Sequence, residues 1–211
     1  MIVTTQCIVL MKRPYRESAL LLEGISPDIG RLSLVLHRGQ KLSPTHFPAA
    51  DLYREVEVEY RESEGEAASS LHTAERLELL AEFDALAEKP RNFAMAGRIA
   101  SFLLRNLQPG VPQPYTYDTV RSVLSQLAGT VESGEGAPAW TLVQCAVVVK
   151  TAFLYENGLL PEARSGRQRD FLENLVAAGI DNSELPACRE SYWTELNGWL
   201  DSLLKFHQLQ K

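Results

Sequence analysis

Residues 51–60 read DLYREVEVEY, and their strict alternation decides the fold class of the first part of the chain. Val56, Val58 and Tyr60 fall on one side of an extended segment. The other side carries a row of acidic residues, Glu55, Glu57 and Glu59. A period of two is typical of a half-buried antiparallel strand. We interpret the glutamate row as the solvent face of that strand, where like charges discourage pairing with another chain.

Similar strand patterns precede this segment. Residues 31–37, RLSLVLH, show the same alternation, with Leu32, Leu34 and Leu36 on one face. Two apolar runs, QCIVLM and ALLL, flank the segment KRPYRES at 12–18 and are typical of buried strands. Turn residues separate these runs at Pro14, at SPDIG and at RGQKLSP. LHTAERLELL at 71–80 is ambiguous between a fifth strand and the start of a helix. Four or five short strands in succession predict a small closed or nearly closed β-barrel.

From about residue 80 the apolar period becomes helical. The stripes comprise Phe93, Ala96, Ile99 or Ala100, Leu103 and Leu107; then Val120, Val123, Leu124 and Leu127; then Phe171, Leu172, Leu175 and Val176, ended by Gly179; and Trp193, Leu196, Leu200, Leu203 and Leu204. WTLVQCAVVVKTAFLY at 140–155 is apolar almost all round, which predicts a central buried helix. We therefore expect an α+β protein with a barrel domain over 1–80 and an α-helical bundle domain over 81–211.

The composition is that of an ordinary globular protein, with 45% apolar and 23% charged residues. No charge-free run reaches the ~20 apolar residues of a membrane-spanning helix, and no cation precedes the first apolar run, so we expect neither a membrane span nor a secretory signal. This predicts a cytoplasmic protein. Three widely spaced cysteines, Cys7, Cys145 and Cys188, predict neither a disulfide framework nor a cysteine-built metal site.

The net charge of −6 is unevenly distributed. Residues 1–50 carry six Lys/Arg and three Asp/Glu, whereas residues 51–90 carry four and twelve. The first fifty residues are therefore locally basic in an acidic chain, and an anionic partner is expected to meet that part.

Patterns of catalysis are missing from the sequence. It contains no phosphate-binding glycine loop, no dinucleotide fingerprint, no H-E-x-x-H and no G-x-S-x-G. The four histidines, His37, His46, His72 and His207, include no pair spaced to bind a metal on one helix. We therefore expect that the protein is not an enzyme, and an unrecognised enzyme ranks last among the alternatives.

Cations and flat rings concentrate at two strand junctions. Lys12, Arg13 and Arg16 lie at the first, beside Tyr15, and the second carries Arg38 and Lys41 beside His37. Proteins bind single-stranded nucleic acid with cationic side chains along the phosphates and with aromatic rings that stack on the bases. The alternative is that these are ordinary charged and solvated loops.

A second basic set lies on the first long helix. Arg91, Arg98 and Arg105 are seven residues apart, which keeps them near one line on the helix, beside its apolar stripe. They are either a solvated helix face or a docking site for an acidic peptide or for phosphate. Arg164, Arg167 and Arg169 form a further cluster in ARSGRQRD, for which the same two alternatives hold, a docking site or a solvated loop.

The N-terminal third resembles the bacterial recombination mediator family RecO. Three elements carry the resemblance in order: Arg13, Tyr15, Glu17 and Ser18 after the first strand, then Gly30 and Leu32, then Arg38, Gly39, Lys41 and Ser43. In the helical part, NGLLPE resembles the family's Gly-x-x-Pro turn. The fit in order and spacing extends over residues 1–60.

The resemblance implies an OB-fold followed by a helical domain, and the binding and annealing of single-stranded DNA at KRPYRES. It also implies partnership with RecR and with the acidic tail of single-stranded DNA-binding protein, so that recombinase loads on coated strands. An adaptor of the same fold that acts mainly through protein contacts is the alternative. Many family members carry a four-cysteine zinc motif after the Gly-x-x-Pro turn, but no cysteine follows Pro161 before Cys188, so we expect no zinc and no other cofactor.

Overall fold

The computed structural model describes residues 1–37, 50–62, 71–129, 140–163 and 165–209. They divide into two compact units. The barrel unit comprises Met1–Asp84 and Leu107–Pro114, and the helical unit comprises Ala85–Asn106 and Tyr115–Lys211. The boundary expected between residues 80 and 81 falls inside the fifth strand, and the units divide after Asp84.

The barrel unit is a closed sheet of five strands within the described residues. The strands are β1, Ile2–Tyr15; β2, Ala19–Ser26; β3, Gly30–Leu36; β4, Arg54–Arg61; and β5, Leu71–Glu82. They close in the order β1-β2-β3-β5-β4, with β3 and β5 parallel and the other pairs antiparallel. The ambiguous segment at 71–80 is therefore a strand, and the predicted barrel is confirmed as an OB-fold.

Alternate residues of the strands fill the barrel. The buried cluster includes the residues predicted to face inward from β3 and β4, namely Leu32, Leu34, Leu36, Val56, Val58 and Tyr60. Cys7, Val9, Leu20 and Leu22 join it from β1 and β2, and Ala74 joins it from β5. The alternation in the sequence thus identified the inner face correctly for both strands.

The prediction for the glutamate row is wrong at Glu55. Glu57 and Glu59 are partly exposed, but Glu55 is only 5% exposed. The register between β4 and β5 shifts between Glu55 and Val56, at a β-bulge or irregularity. Such a shift re-aims side chains locally, so simple alternation does not give the environment of Glu55.

A short return segment, Leu107–Pro114, belongs to the barrel unit. Its backbone bonds to the start of β3 and to the turn before it: the Arg31 amide donates to the Gln108 carbonyl at 3.2 Å, and the Gly110 amide donates to the Ile29 carbonyl at 2.8 Å. Gly30 has a φ of 72°, and a Cβ there would lie 2.3 Å from the carbonyl oxygen of Val111. Only glycine fits this close approach without a shift of the backbone.

The helical unit contains five α-helices within the described residues. They are α1, Pro90–Asn106; α2, Pro114–Ala128; α3, Leu142–Glu156; α4, Gly166–Asp181; and α5, Glu190–Phe206. Thr141 begins α3 with a capping box, in which its side chain accepts from the Gln144 amide and the Gln144 side chain accepts from the Thr141 amide. Because α3 packs against α1, α4 and α5, it is buried over most of its surface, as predicted.

Most of the predicted stripes are buried, with two corrections. Phe93 is 40% exposed, and the buried face of α1 instead includes Phe102, whose ring meets Phe153 edge-on at 5.3 Å. Gly179 does not end α4, which continues to Asp181 before Asn182 adopts a left-handed conformation. Gly179 instead allows close packing, since a Cβ there would lie 2.6 Å from a Val148 methyl carbon.

Candidate nucleic-acid interface and a basic groove

The outer face of β1, β2 and β3 carries part of the predicted nucleic-acid site. Arg13 pairs with Leu21, and Tyr15 pairs with Ala19. Directly paired residues share a face of a sheet, and Leu20 and Leu22 point into the barrel, so Arg13 and Tyr15 point outward. In OB-folds this face and its adjoining loops bind oligonucleotides. We call this surface the outer face.

Lys12 does not belong to the outer face. It pairs with Leu22, whose side chain lies in the barrel core, and its ammonium group forms an ion pair with Asp51 at 3.2 Å. Lys12 and Arg13 therefore extend to opposite sides of β1, although they are adjacent in the sequence.

Arg16 and Tyr15 interact with each other at the turn between β1 and β2. The Arg16 guanidinium carbon lies 5.2 Å from the centre of the Tyr15 ring, in a cation–π contact. Tyr15 is partly buried and also packs against a small apolar cluster of Ala19, Leu21 and Val35. A base that stacks at this turn would therefore meet the Arg16 plane or displace it from Tyr15.

Two charged residues of the outer face, Arg31 and Glu23, were not predicted from the sequence as part of the candidate site. An Arg31 Nη2 atom donates to the Glu23 carboxylate at 2.5 Å, and Arg13 Nη2 lies 3.9 Å from the other oxygen of the same carboxylate. The signal for Glu23 is a charged residue inside a strand that is buried along its whole length, ALLLEGIS. The alternation of β3 places Arg31 on the face that the inward leucines do not occupy, which the sequence alone shows. That Arg31 shares a carboxylate with Arg13 depends on the pairing of the strands, which the sequence alone does not show.

The remaining predicted nucleic-acid residues lie at or beyond the end of β3. His37 is exposed directly after this strand. Arg38 and Lys41 lie outside the described residues. The structure therefore brings Arg13 and Arg31 to one carboxylate, Glu23. Tyr15 and Arg16 contact each other at the end of the outer face where β1 turns into β2, and Lys12 lies on the other side of β1.

Each of the two units contains a buried cysteine. Burial raises the pKa of Cys7, in the barrel core, to about 12. Burial also raises the pKa of Cys145, on α3, to about 12. Both are neutral thiols at physiological pH and are poor nucleophiles.

Among the residues that the structure describes, no three His, Cys, Asp or Glu side chains are grouped to hold a metal ion.

A basic groove of about 430 Å³ lies between α1, α3 and α5 in the helical unit. Its apolar lining includes Met95, Ile99, Phe102 and Val149. Its cations are Arg98, Arg105 and Lys150, of which Lys150 is bonded to Asp201 at 2.6 Å and to Asn197 at 2.8 Å.

Two members of the predicted arginine row therefore share one groove. Arg98 and Arg105 are exposed and line it. Arg91 is exposed on the same helix but is not among the residues that line it. Arg167 lines a separate groove between α4 and α5 with Phe171 and Tyr192, while Arg164 lies outside the described residues.

The closed five-stranded barrel is an OB-fold domain, and its outer face carries arginines. Residues 1–80 match the family model described as Recombination protein O N terminal. This match supports a RecO family protein with a role in DNA repair and recombination. No curated protein matches the chain. Along the described ranges, no helix is long and apolar enough to cross a membrane.

Proposed function

We propose that the chain is a recombination mediator that binds and anneals single-stranded DNA through the outer face and helps to load recombinase on coated strands. The observation that carries this proposal is the placement of Arg13, Tyr15, Arg16 and Arg31 on one face of an OB barrel. The protein acts by binding and not by catalysis, in the cytoplasm.

The charge of the chain predicts how this binding behaves. With a net charge of −6, the chain repels DNA at long range, and only the local arginines attract phosphate. Exposed charges are screened within about 10 Å at 0.1 M salt. Binding is therefore weak and strongly dependent on salt concentration.

The basic groove supports a second, protein-directed contact. An acidic peptide that ends in apolar residues and a free carboxylate needs cations for its charges and an apolar slot for its last side chains. Arg98 and Arg105 supply the first, and Ile99, Phe102 and Val149 supply the second. We propose that the tail of single-stranded DNA-binding protein occupies this groove. The proposed partnership with RecR rests on the family resemblance alone.

The decisive experiment is a salt titration of binding to a fluorescent single-stranded oligonucleotide. Changing Arg13 and Arg16 together to Ala should weaken binding about equally for all sequences. It should also flatten the slope of log K against log salt by about 0.7 for each phosphate that is no longer neutralised. The matched control changes Arg61 and Arg76 together to Ala, because it also removes two cations from exposed side chains, 66% and 59% exposed, on β4 and β5. Equal slopes for the double variant and the wild type would rule out these arginines as phosphate ligands.

A specific observation favours the adaptor as the second candidate function. Lys12, Arg13 and Arg31 each have a carboxylate within 4 Å, which leaves less positive charge for DNA. If the wild type binds the acidic tail peptide but shows no DNA binding at low salt, the adaptor function replaces the mediator function.

A further inference from the structure

Glu23 has an unusual environment for an acidic residue on the outside of a barrel. Its side chain is 8% exposed, and β2 is buried along all eight residues. A carboxylate removed from water is costly unless cations or hydrogen-bond donors compensate it. The position therefore requires partners, and the partners are the arginines of the outer face.

The two arginines differ in how firmly Glu23 holds them. Arg31 donates to Oε2 at 2.5 Å, and its side chain is 34% exposed. Arg13 lies at 3.9 Å from Oε1, and its side chain is 59% exposed. Arg31 is thus held tightly, while Arg13 is loosely associated and able to turn towards solvent. Counted together, the three side chains carry a net charge of +1 with Glu23 ionised.

We propose that Glu23 is an internal counter-anion of the outer face, which competes with DNA phosphate for Arg13 and Arg31. A carboxylate and a phosphate oxygen bind the same donors of a guanidinium group, so both cannot use those donors at once. DNA then binds only if phosphate replaces the Glu23 carboxylate as the partner of Arg13 and, in part, as the partner of Arg31. Glu23 thereby sets the DNA affinity to a low value. This inference rests on the proposed DNA-binding function.

A different role for Glu23 makes the opposite prediction. If Glu23 only orients Arg31 towards the DNA, its loss would misplace that guanidinium and weaken binding. If Glu23 competes with phosphate, its loss releases cationic donors and strengthens binding. The sign of the change in affinity therefore distinguishes the two roles.

The test compares wild type with Glu23→Gln in the oligonucleotide salt titration. Glutamine keeps the size of the side chain and a carbonyl that accepts from Arg31, but it removes the charge. Affinity at low salt should rise about two- to fivefold, because the pair exchanged first is the loose one with the exposed Arg13, and such weak pairs contribute up to about 1 kcal/mol. The slope of log K against log salt should steepen by about 0.7 for each additional phosphate that the released arginines neutralise.

Glu59→Gln is the matched control. Glu59 lies on β4 of the same barrel and pairs with Arg76 at 3.4 Å, and Arg76 is also bonded to Glu78. The control therefore removes one negative charge away from the outer face, while Arg76 keeps a carboxylate partner. It should leave the slope unchanged. An equal rise in affinity and an equal change of slope in both variants would mean that total charge, and not the position of Glu23, is responsible, which overturns the proposal.

The remaining outcomes are also decisive. If the wild type binds DNA and folded Glu23→Gln binds it equally or more weakly, the proposed role of Glu23 is overturned. The DNA-binding function then remains intact. No binding by either protein refutes the DNA-binding function and this inference with it.

If Glu23→Gln does not fold, Glu23→Asp replaces it in the test, because the shorter carboxylate reaches Arg13 less well. It should bind DNA more tightly than the wild type, and an affinity no higher than that of the wild type overturns the proposal.

Discussion

Glu156, the last residue of α3, binds the start of α2 through Thr116. Its carboxylate accepts from the Thr116 amide at 2.9 Å, from the Thr116 hydroxyl at 2.6 Å and from the Tyr115 amide at 2.8 Å. The first amides of a helix have no partner within the helix, and a negative charge at this end is favourable. One side chain therefore caps α2 and joins it to α3.

Removing this cap should destabilise the helical unit. We expect Glu156→Ala to lower the free energy of unfolding by about 1–2 kcal/mol, the cost of losing a strong helix cap. Urea unfolding followed by circular dichroism measures it. Glu173→Ala, at an exposed position on α4, is the control and should change stability by less than about 0.5 kcal/mol. Equal stabilities of the two variants would show that the cap contributes nothing.

Two glycines of the barrel unit should respond differently to the same substitution. Gly30 and Gly110 have φ angles of 72° and 77°, so alanine is strained at both. At Gly30 the new Cβ would also lie 2.3 Å from Val111 O and 2.7 Å from Gln108 O, whereas at Gly110 it meets nothing within 4 Å. We expect Gly110→Ala to cost about 1 kcal/mol and Gly30→Ala distinctly more, because it must also move the return segment. Thermal melts of both variants provide the comparison, and equal melting temperatures would contradict it.

The three cysteines should differ in reactivity. Cys188 is exposed, whereas Cys7 and Cys145 are buried. At pH 8 an alkylating reagent should modify Cys188 alone in the folded protein and all three thiols in urea. Rapid alkylation of either remaining thiol in folded Cys188→Ser would show that one of the buried sites opens.

The raised thiol pKa values also predict how stability depends on pH. The pKa of Cys7 and of Cys145 is about 12 in the folded protein, against 9.0 for an unperturbed thiol. The unfolded chain releases these protons first, so this contribution to stability is complete below about pH 9 and is lost as the pH rises towards 12. Each thiol lowers the free energy of unfolding by at most about 1.4 kcal/mol per pH unit in that window. Cys145→Ala should make the decline shallower in a urea titration repeated at several pH values.

Features set by local sequence could be predicted, and features set by strand or helix pairing could not. The alternation of Val56, Val58 and Tyr60 was enough to place them in the barrel, because a strand's period is local. The ion pairs of Glu23 with Arg13 and Arg31 depend on the register between strands, which no single segment contains. Glu55 was misplaced for a related reason, since the register shift beside it is a property of the β4–β5 pair.

The arginine row on α1 illustrates the same limit. Its seven-residue spacing correctly placed Arg98 and Arg105 along one side of the helix, but the groove beside them is made with α3 and α5. The sequence of α1 alone could not reveal that the groove includes Arg98 and Arg105 but not Arg91. This difference provides a matched pair for testing the proposed peptide site.

Arg98→Glu should weaken binding of an acidic peptide with the sequence of a single-stranded DNA-binding protein tail, while Arg91→Glu should not. Both residues are exposed on α1, and only Arg98 lines the basic groove. Both substitutions change the charge of the chain by the same amount, so the comparison removes long-range electrostatics. Because an exposed ion pair is worth about 0.2–1 kcal/mol, we expect micromolar affinity for the wild type and a severalfold loss in Arg98→Glu. Fluorescence anisotropy measures binding, and circular dichroism verifies the fold. Equal losses in both variants would place the docking site outside this groove, whereas a loss confined to Arg98→Glu would assign the peptide to the slot beside Ile99 and Phe102.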